Sequence, residues 1–294
     1  MELNDLLRKH GIDLTKTLVM RHRPDEAGLR KVLPWLVHEK PAVFNAYQQS
    51  HSGAQEEAMR KLSGSGWIAS FFGLDAGEAV FCGLYRIAGH EEIDWKAFWS
   101  IAENSVLREH GMRGWARKGR SRGLWFDLQL DETFHSEWIG RLIVKWPPPE
   151  RSWWRRAEKN VMPIRAILEE SRFAPAMPDW REMVLTWQEL EVIPKSWQAA
   201  LKEWRGIYLI RDLSDGLAYV GSAYGKENLL GRWRSYAKNG DGGNRLLKPR
   251  KPDQFRFSIL ERLGPDLDPK DVVVVENSWK KRLGTLHPDG LNAN

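Results

Sequence analysis

The sequence predicts an α+β protein in which a helical and β-barrel-like N-terminal domain precedes a C-terminal small antiparallel sheet flanked by helices. Three observations predict it. Leu- and Ala-bearing helical stretches fill the first sixty or so residues. Short aromatic and β-branched runs bounded by turn residues follow them. Basic charge then collects at the end of the chain: residues 200–294 hold 17 Lys and Arg against 12 Asp and Glu, a net of +5, while the rest of the 294 residues hold 28 against 27. The expected division is a first domain at 1–170, a packed linker at 171–199 and a second domain at 200–294.

Residues 3–31 read as helical, with Leu6, Leu7, Leu14 and Leu18 on shifting faces, and Pro34 closes the stretch. A second helix is expected over 41–62, ending in the breaker Ser63-Gly64-Ser65-Gly66. Residues 67–72 and 79–87 are strand-like and flank Asp75-Ala76-Gly77, a turn sequence, so they predict a hairpin. Residues 124–130 alternate, and 139–146 form a further strand that Pro147-Pro148-Pro149 terminates. Several strands with long connections suggest a small, partly open barrel with helices packed outside. Residues 171–198, punctuated by Pro175, Pro178 and Pro194, read as a connector around a helix at 180–190; Trp180, Trp187 and Trp197 make it packed.

In the last third, 204–211 reads as a strand, Asp215-Gly216 as a hairpin turn and 217–222 as the antiparallel mate. Helices are expected over 226–238 and 271–283. In the first, Arg232 and Tyr236 share a face at i, i+4 while Leu229, Leu230 and Trp233 turn toward the sheet. In the second, Val272, Glu276, Trp279 and Leu283 form one stripe, so Glu276 is the single carboxylate in an apolar row. A buried carboxylate needs a partner, because leaving it charged and alone costs several kcal/mol.

Composition excludes several classes. One cysteine, Cys82, allows neither an intrachain disulfide nor a thiolate cluster, and the eight histidines show no metal-ligand spacing. The opening Met1-Glu2-Leu3-Asn4-Asp5 is not a signal peptide, and no apolar run approaches the length that spans a bilayer. A cytoplasmic protein is expected. Sixteen tryptophans are mostly core material, with some free to stack on bases. Two segments mix cations, glycines and indoles. Arg113, Arg117, Lys118, Arg120 and Arg122 lie between Gly111 and Gly123, and Arg155 and Arg156 follow Trp153-Trp154. Both suit a nucleic-acid surface, as do Arg234 and Lys238.

Gly206-Ile207-Tyr208, then Tyr219-Val220-Gly221, Arg232, Glu276 and Gly290-Leu291-Asn292 occur in an order and spacing that resembles the GIY-YIG nuclease family. The resemblance covers about 204–294 and implies an endonuclease that hydrolyses phosphodiesters with one Mg²⁺ or Mn²⁺. It implies Tyr208 as the general base, Tyr219 as a positioning group and Arg232 as the grip on the scissile phosphate. Tyr236 is a further group near the nucleophile, Glu276 the protein ligand of the metal, and Asn292 a hydrogen-bonding group near metal or phosphate. Val220 departs from the family's Ile but keeps its apolarity. The implied partner is double-stranded DNA, with RNA and a homodimer left open and no membrane. A first domain this large would select targets, as in restriction or phage defence. The alternative is a structure-specific repair or recombination nuclease, or an RNA nuclease, recruited through a protein-interaction module.

Overall fold

The computed structural model describes residues 1–114, 120–149, 152–174, 176–239 and 243–293. The chain divides into two compact units, residues 1–175 and 176–294. No described helix is long and apolar enough to cross a membrane.

The first unit runs α1 (Leu3–Lys9), β1 (Thr17–His22), α2 (Ala27–Glu39), α3 (Pro41–Gln48), α4 (Ala54–Leu62), β2 (Gly66–Phe72), β3 (Glu78–Asp94), α5 (Trp95–Ser100), α6 (Ala102–Glu109), β4 (Arg122–Leu130), β5 (Leu142–Lys145), β6 (Trp154–Arg156) and β7 (Ile164–Ile167). Among the described residues, seven strands form one curled half-barrel sheet in the order β6-β1-β2-β3-β5-β7, with β4 also paired to β3. The expected hairpin at 67–87 is β2 and β3, antiparallel from Gly66 opposite Ile87 to Phe72 opposite Val80. The long β3 has two partners besides β2: its start pairs with β5 and its far half with β4. Apolar side chains of α1, β1, β2, β3 and β5, with Phe134 and Trp146, fill the core.

Residues 3–31 are not one helix. Thr17–His22 is a fully buried strand, parallel to β2 across the three-helix crossover α2–α4. A run buried on both faces has no alternation to betray it, and Leu14 and Leu18 mimic a helical stripe. Pro34 does not end α2, which continues to Glu39 with Pro34 buried inside it. The helix expected over 41–62 is two, parted at Gly53, whose φ of 65° breaks the helical path.

The second unit runs β8 (Val184–Thr186), α7 (Trp187–Leu190), α8 (Lys195–Glu203), β9 (Arg205–Asp212), β10 (Ala218–Ala223), α9 (Asn228–Asn239), β11 (Phe255–Leu263) and α10 (Pro269–Leu283). Its four-stranded antiparallel sheet has the order β10-β9-β11-β8. The helix expected over 180–190 is a strand followed by one helical turn, started by the reciprocal capping of Thr186 and Glu189. β11, which the sequence reading passed over, pairs with β9 along its length; buried Phe255, Phe257 and Ile259 alternate with more exposed neighbours. The stripe on α10 is partial. Val272 is buried and Trp279 half-buried, but Leu283 is exposed at the last turn.

Candidate active site

Strand alternation sorts the motif residues between the two faces of the second sheet. Ile207, Leu209 and Val220 pack with Val272, Val275 and Trp279 of α10. Tyr208 and Tyr219 point the other way, toward Trp233 and Tyr236 of α9. The ring centroids of Tyr208, Tyr219 and Tyr236 lie 6.0–6.4 Å apart. Tyr208 faces Gly221 in the β9–β10 register. A Cβ at 221 would stand 2.6 Å from the Tyr208 ring and 2.8 Å from that of Tyr219, so only glycine leaves room for both phenols. Gly206 serves differently: a Cβ there would collide with the Glu261 carbonyl across the β11 bulge.

A chain of hydrogen bonds links three of the expected residues. The Tyr208 and Tyr236 hydroxyls are 2.9 Å apart, and Arg232 Nη2 donates to Tyr236 Oη at 3.1 Å. The Arg232 Nε is buried without a partner. Burial works against the Arg232 charge, but the phenols of Tyr208, Tyr236 and Tyr219 more than offset it and raise its pKa. Burial also raises all three tyrosines. Their surroundings differ, however. Tyr219 pushes Tyr208 up, and Arg232 and the Tyr236 hydroxyl pull it back down; Tyr236 and Glu276 both push Tyr219 further up, and Arg232 pulls it down in turn. Exposure runs the opposite way, with Tyr208 at 0% and Tyr219 at 9%.

Glu276 comes from α10, on the other face, and reaches the edge strand β10, where Ser222 Oγ donates to its Oε2. Its charge is felt at Tyr219, so the two faces meet around that edge. Its Oε1 binds Lys280 Nζ at 2.7 Å, one turn along α10. Sequence reasoning missed both partners. The i, i+4 spacing of Glu276 and Lys280 was the available signal, and Ser222 was marked by sharing strand parity with Val220. Among the described residues there is no cluster of three or more His, Cys, Asp or Glu. A lone, partly exposed carboxylate still suits a hard divalent ion that keeps most of its waters, and Lys280 is the cation that such an ion would displace from Oε1.

Asn292 is placed otherwise than the resemblance implies. It is buried, its Oδ1 accepts from Val220 N at 2.9 Å and its Nδ2 donates to Val220 O at 2.8 Å. The amide thus pairs with the edge of β10 like a strand residue and fixes the segment between Tyr219 and Gly221.

The remaining basic candidates fall into different environments. Arg234 binds Gln198 of α8 at 2.8 Å, and the side chain of Lys238 lies outside the described residues, as do Arg117 and Lys118. In the first unit Arg120 makes a bidentate pair with Glu56 at 2.9 and 3.1 Å, and Arg122 binds Glu92 at 3.2 Å. Arg155 is spent on the carbonyls of Trp154, Pro147 and Pro149. Of the candidate residues, Arg113 and the half-buried Arg156 have guanidinium groups with no hydrogen bond or ion pair among the described residues. Arg120 and Arg155 thus brace the unit from within, while Arg122 and Glu92 form an exposed surface pair.

Residues 205–289 match the family model described as the GIY-YIG catalytic domain, so this part of the chain belongs to that family. Two solved structures of the catalytic domain of I-TevI, described as an intron or homing endonuclease, are each 27% identical to this chain. They cover 31% of it and 94% and 98% of their own lengths, with TM-scores of 0.27 and 0.26. No curated protein matches the chain.

Proposed function

We propose that this protein is a metal-dependent DNA endonuclease, with hydrolysis in the second unit and target selection in the first. The observation that carries this is the hydrogen-bonded chain Tyr208–Tyr236–Arg232 beside Tyr219, inside a domain of the GIY-YIG family. Arg232 carries a fixed positive charge in a mostly buried setting, where a donor aimed at a phosphate is worth more than in water. It is the group to hold the scissile phosphate and offset the charge that develops on it.

Tyr208 is the better candidate to take the proton of the attacking water at its Oη. Arg232 favours a phenolate at either tyrosine, but one at Tyr208 also gains the Tyr236 hydroxyl as donor, whereas one at Tyr219 faces the Glu276 carboxylate. Tyr219, the less buried phenol, orients the water or a phosphate oxygen. Glu276 would hold a divalent cation, whose charge would offset that of the phosphate oxygens and favour loss of a proton from the attacking water. Asn292 and Gly221 hold the two tyrosines in register.

An appended unit that chooses targets fits a restriction or phage-defence enzyme, by analogy of architecture. The pairing of Arg120 and Arg122 with acids favours a second reading, in which the first unit binds a protein partner of a repair nuclease. The test is cleavage of supercoiled plasmid by the full chain in Mg²⁺ and in EDTA. Nicking or linearisation in Mg²⁺, absent in EDTA and in Arg232→Ala, is expected. No cutting of any DNA in Mg²⁺ or Mn²⁺ would overturn the reading, and equal cutting by Arg232→Ala would move the phosphate grip elsewhere.

A further inference from the structure

The first unit contains a cavity of about 500 Å³, within the range of small-ligand sites, that the catalytic chemistry leaves unused. It is bounded by the end of β1, by α3 and the turn after it, and by the Gly-punctuated segment that follows α6. Its lining is of two kinds. Tyr47, Phe98 and Trp153 offer flat aromatic surface, with Trp153 exposed. His51, Gln55 and Glu26 offer hydrogen-bonding atoms of both polarities.

The polar side is built rather than incidental. His22 shares a hydrogen bond with Ser70 Oγ at 3.0 Å, and Ser70 donates to Gln48 Oε1 at 2.9 Å. His51 stacks on His22 with centroids 6.4 Å apart and planes 15° from parallel. Burial lowers His22 to about 3 and His51 to about 4, so both rings are neutral near pH 7. The His51 Nε2 is buried with no hydrogen-bond partner among the described residues. An orphaned polar atom of this kind is destabilising unless something else satisfies it.

Charge narrows the ligand class. The lining carries one buried cation, Arg21, and one carboxylate, Glu26, beside the neutral histidines, so its interior has no net charge, while Arg113, unpaired among the described residues and exposed, stands on the lining as well. Aromatic surface, mixed donors and acceptors within and a free cation nearby together suit a planar heterocycle that remains attached to a phosphodiester. An extruded nucleobase is such a ligand, read on its polar edge and held against aromatic side chains.

We propose that this cavity receives a single nucleobase extruded from duplex DNA, with His51 and Gln55 reading its edge and Arg113 meeting the adjoining phosphate. The inference rests on the reading that the first unit selects DNA targets. It makes selection depend on the identity of one base, and the volume leaves room for a substituent on that base.

The test uses the full chain in EDTA, with fluorescence anisotropy on duplexes that carry one base opposite an abasic site. The base is each of the four in turn, then methylated cytosine and methylated adenine. The reference duplex lacks the base altogether. At least one base should bind about tenfold or more tighter than the base-less duplex. Ser50→Trp, which fills the cavity, and His51→Ala, which removes the edge contact, should abolish that preference while binding the base-less duplex within about twofold of wild type. Melting temperatures of both variants check that they fold. Equal affinity for every duplex, or a preference that survives in both variants, overturns the pocket while leaving DNA binding and cleavage standing. Failure to bind any duplex, with Mg²⁺-dependent plasmid cutting intact, overturns target selection by this route and the pocket with it.

Discussion

Replacing Asn292 by alanine should unfold the second unit at markedly lower temperature, although the residue lies almost at the end of the chain. Asn292 and Val220 are both buried, and the side-chain amide satisfies both polar groups of the Val220 backbone. Alanine leaves a buried N–H and a buried C=O without partners, at about 1–3 kcal/mol each. The sum, roughly 2–6 kcal/mol, corresponds to a drop of roughly 8–24 °C in the melting temperature for a unit of this size. Calorimetry of the full chain reads the shift, and hydrogen exchange at the Val220 amide assigns it to β10. Asn292→Asp sharpens the test. It keeps an acceptor for Val220 N–H but turns the donor into an oxygen facing Val220 O. That variant should therefore be weak at neutral pH and recover as acid protonates the new carboxyl into a donor. A shift below about 2 °C in Asn292→Ala, with Val220 still protected, would refute the claim that this amide holds the edge strand.

Four further outcomes follow from the site and the buried histidines. Arg232→Ala should slow single-turnover cleavage at saturating DNA by about 10²–10³, the loss typical of one transition-state donor; an unchanged rate would remove Arg232 from the chemistry. Tyr208→Phe deletes one hydroxyl whose neighbour Tyr236 keeps its Arg232 donor, so stability should fall by only about 1 kcal/mol while cleavage collapses. Near-normal cleavage by Tyr208→Phe together with a dead Tyr219→Phe would exchange the two roles. Glu276→Gln should keep DNA binding and lose the response to Mg²⁺, and comparable turnover in Mg²⁺ would sink the ligand assignment. Finally, His22 and His51 have folded pKa values far below 6.5, so between that value and about 4 the unfolded chain binds more protons than the folded one. Stability of the first unit should fall as pH drops below about 6.5, by up to about 1.4 kcal/mol per pH unit for each histidine; a slope in denaturant melts that His22→Gln leaves unchanged would refute this.

The sequence alone was enough to place Tyr208 and Tyr219 on neighbouring strands. Their strands alternate with period two, Gly221 and the Asp215-Gly216 turn set the register, and the i, i+4 pairing of Arg232 with Tyr236 is a property of any helix. These are short-range constraints, legible wherever the residues that satisfy them are neighbours along the chain. The same local signals failed where burial is two-sided. The central strand Thr17–His22 carries no alternation because both its faces are covered, and Pro34 could sit within α2 because local propensity yields to the packing around it.

Tertiary structure alone decided which polar atoms were already taken. Arg120, Arg122 and Arg155 look like phosphate ligands in a basic run, yet Glu56, Glu92 and the carbonyls that occupy them lie far away in sequence or along a folded-back loop. Ser222 on Glu276, the Asn292 amide on Val220 and the histidine-lined cavity are likewise matters of distance between elements. Residue type fixes what a side chain can bind; only the packed chain fixes what has reached it first, because hydrogen bonds and ion pairs fall off over a few ångströms while sequence separation counts for nothing at that range.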